Sequence, residues 1–102
     1  MPYKLSDLMQ IVCSERAEAV HLHENESPVL EVNRLLHRIE GPPVAVGETE
    51  ELFRTVAPPV ELNELRRNQL ASFSLHFGDF AVFQIMAFRE DDRVRLELRR
   101  SA

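Results

Sequence analysis

Two histidines one residue apart, His21 and His23, are the first pair in this chain whose types and spacing could do chemistry. On a strand an HxH turns both imidazoles to one side, as a zinc or copper ion would need. Two ligands do not close a metal site, however. The third would have to be Glu24, His37 or His76, and no spacing brings one of them close, so the pair reads as two sheet-surface histidines and no metal is implied. The carboxylates fare similarly. Glu24 and Glu26 flank Asn25, and Glu48, Glu50 and Glu51 crowd a helix start. General acid–base work needs two carboxylates at a cleft with separated pKa values, whereas these fit loop solubility and complementation of the helix dipole. Cys13 is the only cysteine. It falls on a helical stretch and reads as a small apolar residue rather than a nucleophile, and it fits a reducing compartment.

Nucleotide hydrolysis by this chain is excluded on firmer ground. Its glycines, Gly41, Gly47 and Gly78, form no GxxxxGK(S/T) loop, and the only lysine, Lys4, precedes them all. GxGxxG, GxSxG and CxxC are also absent. The residues therefore imply no enzyme and no cofactor.

The elements that would position these side chains centre on the stretch from Leu70 to Phe88. Ala71, Phe73, Leu75 and Phe77 alternate with Ser72, Ser74 and His76, and Ala81, Phe83, Ile85 and Ala87 alternate with Val82, Gln84, Met86 and Phe88. This is the period of a β-hairpin with one buried face. A three-residue loop of Gly78, Asp79 and Phe80 pairs Phe77 with Ala81 and puts every odd residue on one side. A two-residue loop would mix apolar and polar positions on both sides. The odd face is thus expected to be core, and the even face to carry the exposed apolar groups Val82, Met86 and Phe88 with Gln84.

Upstream, Leu5, Leu8, Met9 and Val12 fall at helical spacing with Ser6 as the expected N-cap. Strands follow over 18–24, 28–32 and 35–39, with a turn at Asn33-Arg34. A helix from Thr49 carries Leu52, Phe53 and Val56, and Pro58-Pro59 ends it and opens another with Leu62 and Leu65. After the hairpin, Asp91-Asp92 turns the chain into a last strand with Val94, Leu96 and Leu98 on one face. The order αβββααβββ defines an α+β domain with a largely antiparallel sheet and helices on one side. At 102 residues it is a single domain, 1–102.

Charge narrows the partners. A net charge of −5 argues against nucleic acid or an anionic membrane surface, both of which demand clustered positive charge. Arg93, Arg95, Arg99 and Arg100 do cluster, but Glu90, Asp91, Asp92 and Glu97 are interleaved with them, as on a solvated mixed-sign strand. No run is long enough to span a membrane and the N-terminus lacks a signal-peptide apolar core, so the cytoplasm is expected.

Several strings, in order along nearly the whole chain, resemble the N-terminal domain of the PilT-type pilus-retraction ATPases and the wider type II and type IV secretion ATPases. Residues 6–9, SDLM, are similar to that family's opening DLL helix, and AEAVHL at 17–22 to its ASDLHL. PVLEVNRLLHRI at 28–39 resembles its PPMIRVDGDVRRI-like strand pair. AVFQIMAF at 81–88 resembles ARFRVNAF, and LELRR at 96–100 the strand before the linker to the ATPase domain. The resemblance implies a PAS-like α+β domain. In the family the two arginines of RFRVN point away from the core and approach the nucleotide; here Val82 and Gln84 stand there, Glu31 replaces a strand arginine and Met86 an asparagine, while His21 and Arg99 keep polar positions.

The function expected from all this is a non-enzymatic interaction or regulatory module related to pilus (twitching motility) and secretion ATPases. Its interaction face is Val82, Gln84, Met86, Phe88 and His21, and its partner is such an ATPase or a second copy. The alternative is a small-ligand sensory PAS-like domain with a pocket between sheet and helix, into which His21, Ser74 or Gln84 would converge. A small acidic secretion chaperone, a third option, would require a dimer with an extended apolar groove.

Overall fold

Alternation in the C-terminal half builds the centre of the sheet, and the shorter N-terminal strands extend it. A computed structural model describes residues 3–79 and 81–101. Helix α1 (Leu5–Ser14) is followed by β1 (Ala19–Leu22), β2 (Val29–Val32) and β3 (Leu35–Arg38). Helices α2 (Glu48–Val56) and α3 (Pro59–Asn68) then lead into β4 (Leu70–Phe77), β5 (Ala81–Glu90) and β6 (Arg93–Arg100). The order is the expected αβββααβββ. All six strands join one antiparallel sheet in the spatial order β3-β2-β1-β6-β5-β4, so the two halves of the chain meet where β1 pairs with β6.

The hairpin register is the one its parity dictates. Phe77 pairs with Ala81 and Leu75 with Phe83, and Gly78 takes a left-handed φ of 64° in the turn. Phe80, the third expected loop residue, lies outside the described residues. Ala81, Phe83, Ile85 and Ala87 are buried. Asn33 and Arg34 both have positive φ, 52° and 68°, as a tight β2–β3 turn requires. Asp91-Asp92 joins Glu90 to its pair Arg93.

The three helices bury their apolar stripes on a single side of the sheet. Leu5, Leu8, Met9 and Val12 of α1, Leu52 and Phe53 of α2 and Leu65 of α3 form one core with Val20, Leu22, Phe83, Ile85, Leu96 and Leu98. Phe53 and Phe73 meet at 5.7 Å between ring centroids, inside the favourable range for aromatic pairs. Across the layers the buried Thr49 hydroxyl donates to the Val94 carbonyl at 2.6 Å.

Three expectations about helix starts and charge need correction. Ser6 is not the N-cap of α1. Lys4 occupies that position in extended conformation, with no side-chain cap, and its carbonyl already accepts from the Leu8 N–H at 3.1 Å; Ser6 lies inside the first turn. Helix α2 begins at Glu48, one residue before Thr49. Nor is Glu48 a solvating loop residue. It is 3% exposed, and its carboxylate accepts the Ala45 N–H at 2.8 Å and the Tyr3 N–H at 3.1 Å. Burial of that charge is tolerated because backbone donors satisfy it. Beside it, burial and the Glu48 charge push the Tyr3 phenol above its ordinary pKa. Glu24 is similarly tied, accepting the Gly47 N–H at 2.7 Å.

Candidate functional site: the outer face of the sheet

With every helix on the inner side, the outer side is left to strand side chains. Antiparallel pairing sets Ala19 between Glu31 and Arg99, and His21 between Val29 and Glu97. On the far side of β6, Arg99 pairs with Gln84, Glu97 with Met86 and Arg95 with Phe88. Side chains directly opposite across a ladder share a face within contact range. His21, Val82, Gln84, Met86 and Phe88, the residues expected to form an interaction face, are therefore brought onto one surface. His76 lies on β4 across from Val82.

At its centre is a closed ring of four ionisable groups. His21 stands between two carboxylates, with Nε2 3.0 Å from Glu31 and Nδ1 3.4 Å from Glu97. Arg99 closes the ring: its Nη2 and Nη1 donate to the two Glu31 oxygens at 3.0 and 3.4 Å, and its Nε donates to Glu97 at 2.9 Å. The fork-to-fork geometry toward Glu31 is the strong form of such a pair. Hydrogen bonds from Arg99, then from His21, hold the Glu31 carboxyl below its ordinary pKa despite partial burial. Glu97 and then Glu31 in turn make the Arg99 proton harder to lose. Ala19 is fully buried beneath the ring although it lies on the outer side.

The apolar half of this face differs from expectation. Val82, Met86 and Phe88 are half-buried rather than an exposed patch. Phe88 is covered by Arg95, whose guanidinium carbon lies 4.6 Å from the ring centroid, a cation–π distance. Gln84 is engaged as well: the Ser74 hydroxyl donates to its amide oxygen at 3.0 Å, and its amide nitrogen donates to the Ser72 hydroxyl. The C-terminal arginines are correspondingly less free than a solvated strand implies, since Arg95 and Arg99 are both engaged on this face.

The ring was only partly visible in the sequence. His21 and Arg99 were singled out, but Glu31 and Glu97 were not joined to them, and the parity of β2 and β6 was the one signal that could have placed them there. The expected third partners of the histidines lie elsewhere: His37 is on β3 and His76 on β4, at opposite edges of the sheet, and Glu24 holds the Gly47 amide. Among the described residues no group of three or more His, Cys, Asp or Glu is arranged to hold a metal ion. A shallow groove of about 610 Å³ runs beside the ring, over Val29, Glu31 and Leu36 and between His21 and Arg38. The polar groups expected to converge in a sensory pocket, His21, Ser74 and Gln84, all face away from the helices. The inner space where such a pocket would form is filled by Phe53, Phe83, Leu8, Leu22 and Ile85. Chemically the outer face is a polar surface, largely hydrogen-bonded within itself, with half-buried apolar neighbours; the Arg95 Nε is buried there without a hydrogen-bond partner among the described residues. No helix is long and apolar enough to cross a membrane among the described residues.

This α+β architecture is similar in fold to the small N-terminal domain of pilus and secretion ATPases of known structure. The pilus retraction motor PilT, solved with bound ADP, matches over 95% of this chain with a TM-score of 0.85 and 18% identity. The Legionella pneumophila ATPase DotB matches over 98% with a TM-score of 0.79 and 15% identity, and the Yersinia pseudotuberculosis ATPase DotB over 94% with 0.73 and 12%. The chain covers 29%, 30% and 29% of those three proteins respectively, so at these identities the likeness is one of fold in a single part of much longer molecules. No protein-family model and no curated protein matches the sequence.

Proposed function

We propose that this chain is a non-enzymatic docking or regulatory module of a pilus or secretion ATPase system, working in the cytoplasm through the outer face of its sheet. The observation that carries the reading is the contrast of faces. The inner face is sealed by three helices, while the outer one presents Val82, Gln84, Met86 and Phe88 beside the ion ring that contains His21, without a helix over them. The likeness to the N-terminal domains of PilT and DotB supports an ATPase of that kind as the partner, with a second copy of this chain as the other occupant. Val82 and Gln84 carry no charge, so the contact rests on shape, apolar area and hydrogen bonds rather than on phosphate recognition.

Replacing Met86 with Arg tests it. The side chain is half-buried on the outer face, so the fold should survive, while a charge at the centre of the contact should reduce capture of a PilT-type ATPase at least tenfold, or abolish dimer formation in sedimentation velocity. Unchanged capture and unchanged association state in a folded Met86→Arg protein would overturn the reading.

A further inference from the structure

A cluster with an excess of positive charge lies on the helix side, away from the docking face. A cleft of about 260 Å³ between α2, α3 and the end of β5 is lined by Arg54, Arg66 and Arg89, by Glu50, and by Leu62 and Leu65. Three guanidiniums thus face one carboxylate, in a chain whose net charge is −5. Glu50 does not cancel them. It bridges Arg54 at 3.3 Å and Arg89 at 3.0 Å, each through a single Nη2, and each fork keeps further N–H groups for another acceptor. Arg66 has no carboxylate within ion-pair distance among the described residues.

The positions are set by the fold. Arg89 is only 26% exposed, and its own N–H is pinned to the Gln69 carbonyl at 2.9 Å. Leu65, 2% exposed, anchors the turn of α3 that carries Arg66. With Leu62 it gives the cleft an apolar floor, and a charge pair beside such a floor is stronger than one in open water. An excess of two positive charges matches a dianion, and guanidinium forks match tetrahedral oxyanions. The volume lies below the roughly 300 to 1,000 Å³ usual for drug-sized ligands, so the space suits one small group.

We infer that this cleft is a binding site for a phosphate dianion, taken either as free phosphate or as the phosphoryl group of a small phosphomonoester. The site is independent of the outer face and of any partner that docks there.

The test is a titration of the full chain with inorganic phosphate at low ionic strength, followed by ¹H–¹⁵N spectra, with methyl phosphate as the second probe. Saturable shifts should centre on Arg54, Arg66 and Arg89 and weaken as potassium chloride is added. Binding of methyl phosphate as tightly as phosphate would identify a monoester site, and binding of phosphate alone a site for the free ion. Arg66 is exposed, so Arg66→Gln should leave the spectrum of the free protein folded and weaken binding about tenfold. The inference is overturned if neither probe shifts these residues beyond what chloride does, if the shifts centre on Arg99, or if Arg66→Gln binds as tightly as the parent.

Discussion

The two faces of the sheet are made by the same strands, yet alternate residues meet opposite fates. Phe83, Ile85, Leu96 and Leu98 point inward and are fully buried. Gln84, Met86, Glu97 and Arg99 point outward, where Arg99 bonds Glu97 and Gln84 bonds Ser72 and Ser74. On the inner side free energy comes from apolar area removed from water and scales with the volume filled. On the outer side it comes from charge-assisted hydrogen bonds that remain partly solvated, which contribute modestly each. The fold therefore rests on one face, and the other is free to carry contacts.

The sharpest break of that contrast is a pair of neighbours on β5. Phe83→Ala should cost about 3 to 5 kcal/mol, since it empties an aromatic volume that the core cannot refill. Gln84→Ala should stay within about 0.5 kcal/mol, because its amide bonds only to two exposed serines. Urea unfolding of both variants measures this. Equal small losses would mean that the odd face is not the core.

A smaller effect probes the fully buried polar tie between the layers. The Thr49 hydroxyl reaches the Val94 carbonyl from a fully buried position, and Thr49→Val keeps the shape while removing the donor. The loss should be about 1 kcal/mol, seen as a lower urea midpoint at unchanged slope. An unchanged midpoint would make the inner face purely apolar in its energetics.

The inner face was legible in the sequence because its evidence is local. The odd register of the hairpin follows from residues that are neighbours along the chain, and Asn33-Arg34 or Pro58-Pro59 announce their turns by their own backbone preferences. The outer ring was not, because its members are remote: Glu31 and Arg99 meet only because β1 lies between β2 and β6, and nothing in the sequence announces that pairing. Glu48 is partly hidden for the same reason, since one of the two amides that satisfy its buried carboxylate is that of Tyr3, 45 positions away. Periodicity assigns a side chain to a face but does not say which strand will lie alongside it.

The smallest effect, and the one most specific to the outer face, is its acid sensitivity. Hydrogen bonds from Arg99 and His21 lower the Glu31 pKa from the ordinary 4.5. A carboxyl with a depressed folded-state pKa binds its proton more readily when unfolded, so its stabilisation is complete above about pH 4.5 and disappears as the pH falls through the lower folded value. Glu31→Gln removes that contribution at neutral pH and leaves Arg99 with Glu97 alone. The melting temperature of the variant should therefore lie below that of the parent between about pH 7 and pH 5, and the margin should close on further acidification. Phe83→Ala should show no such closing, because an apolar cavity does not titrate. A margin for Glu31→Gln that persists unchanged to pH 3 would mean that the ring acts through packing rather than charge, and the two faces would then be held by the same kind of force.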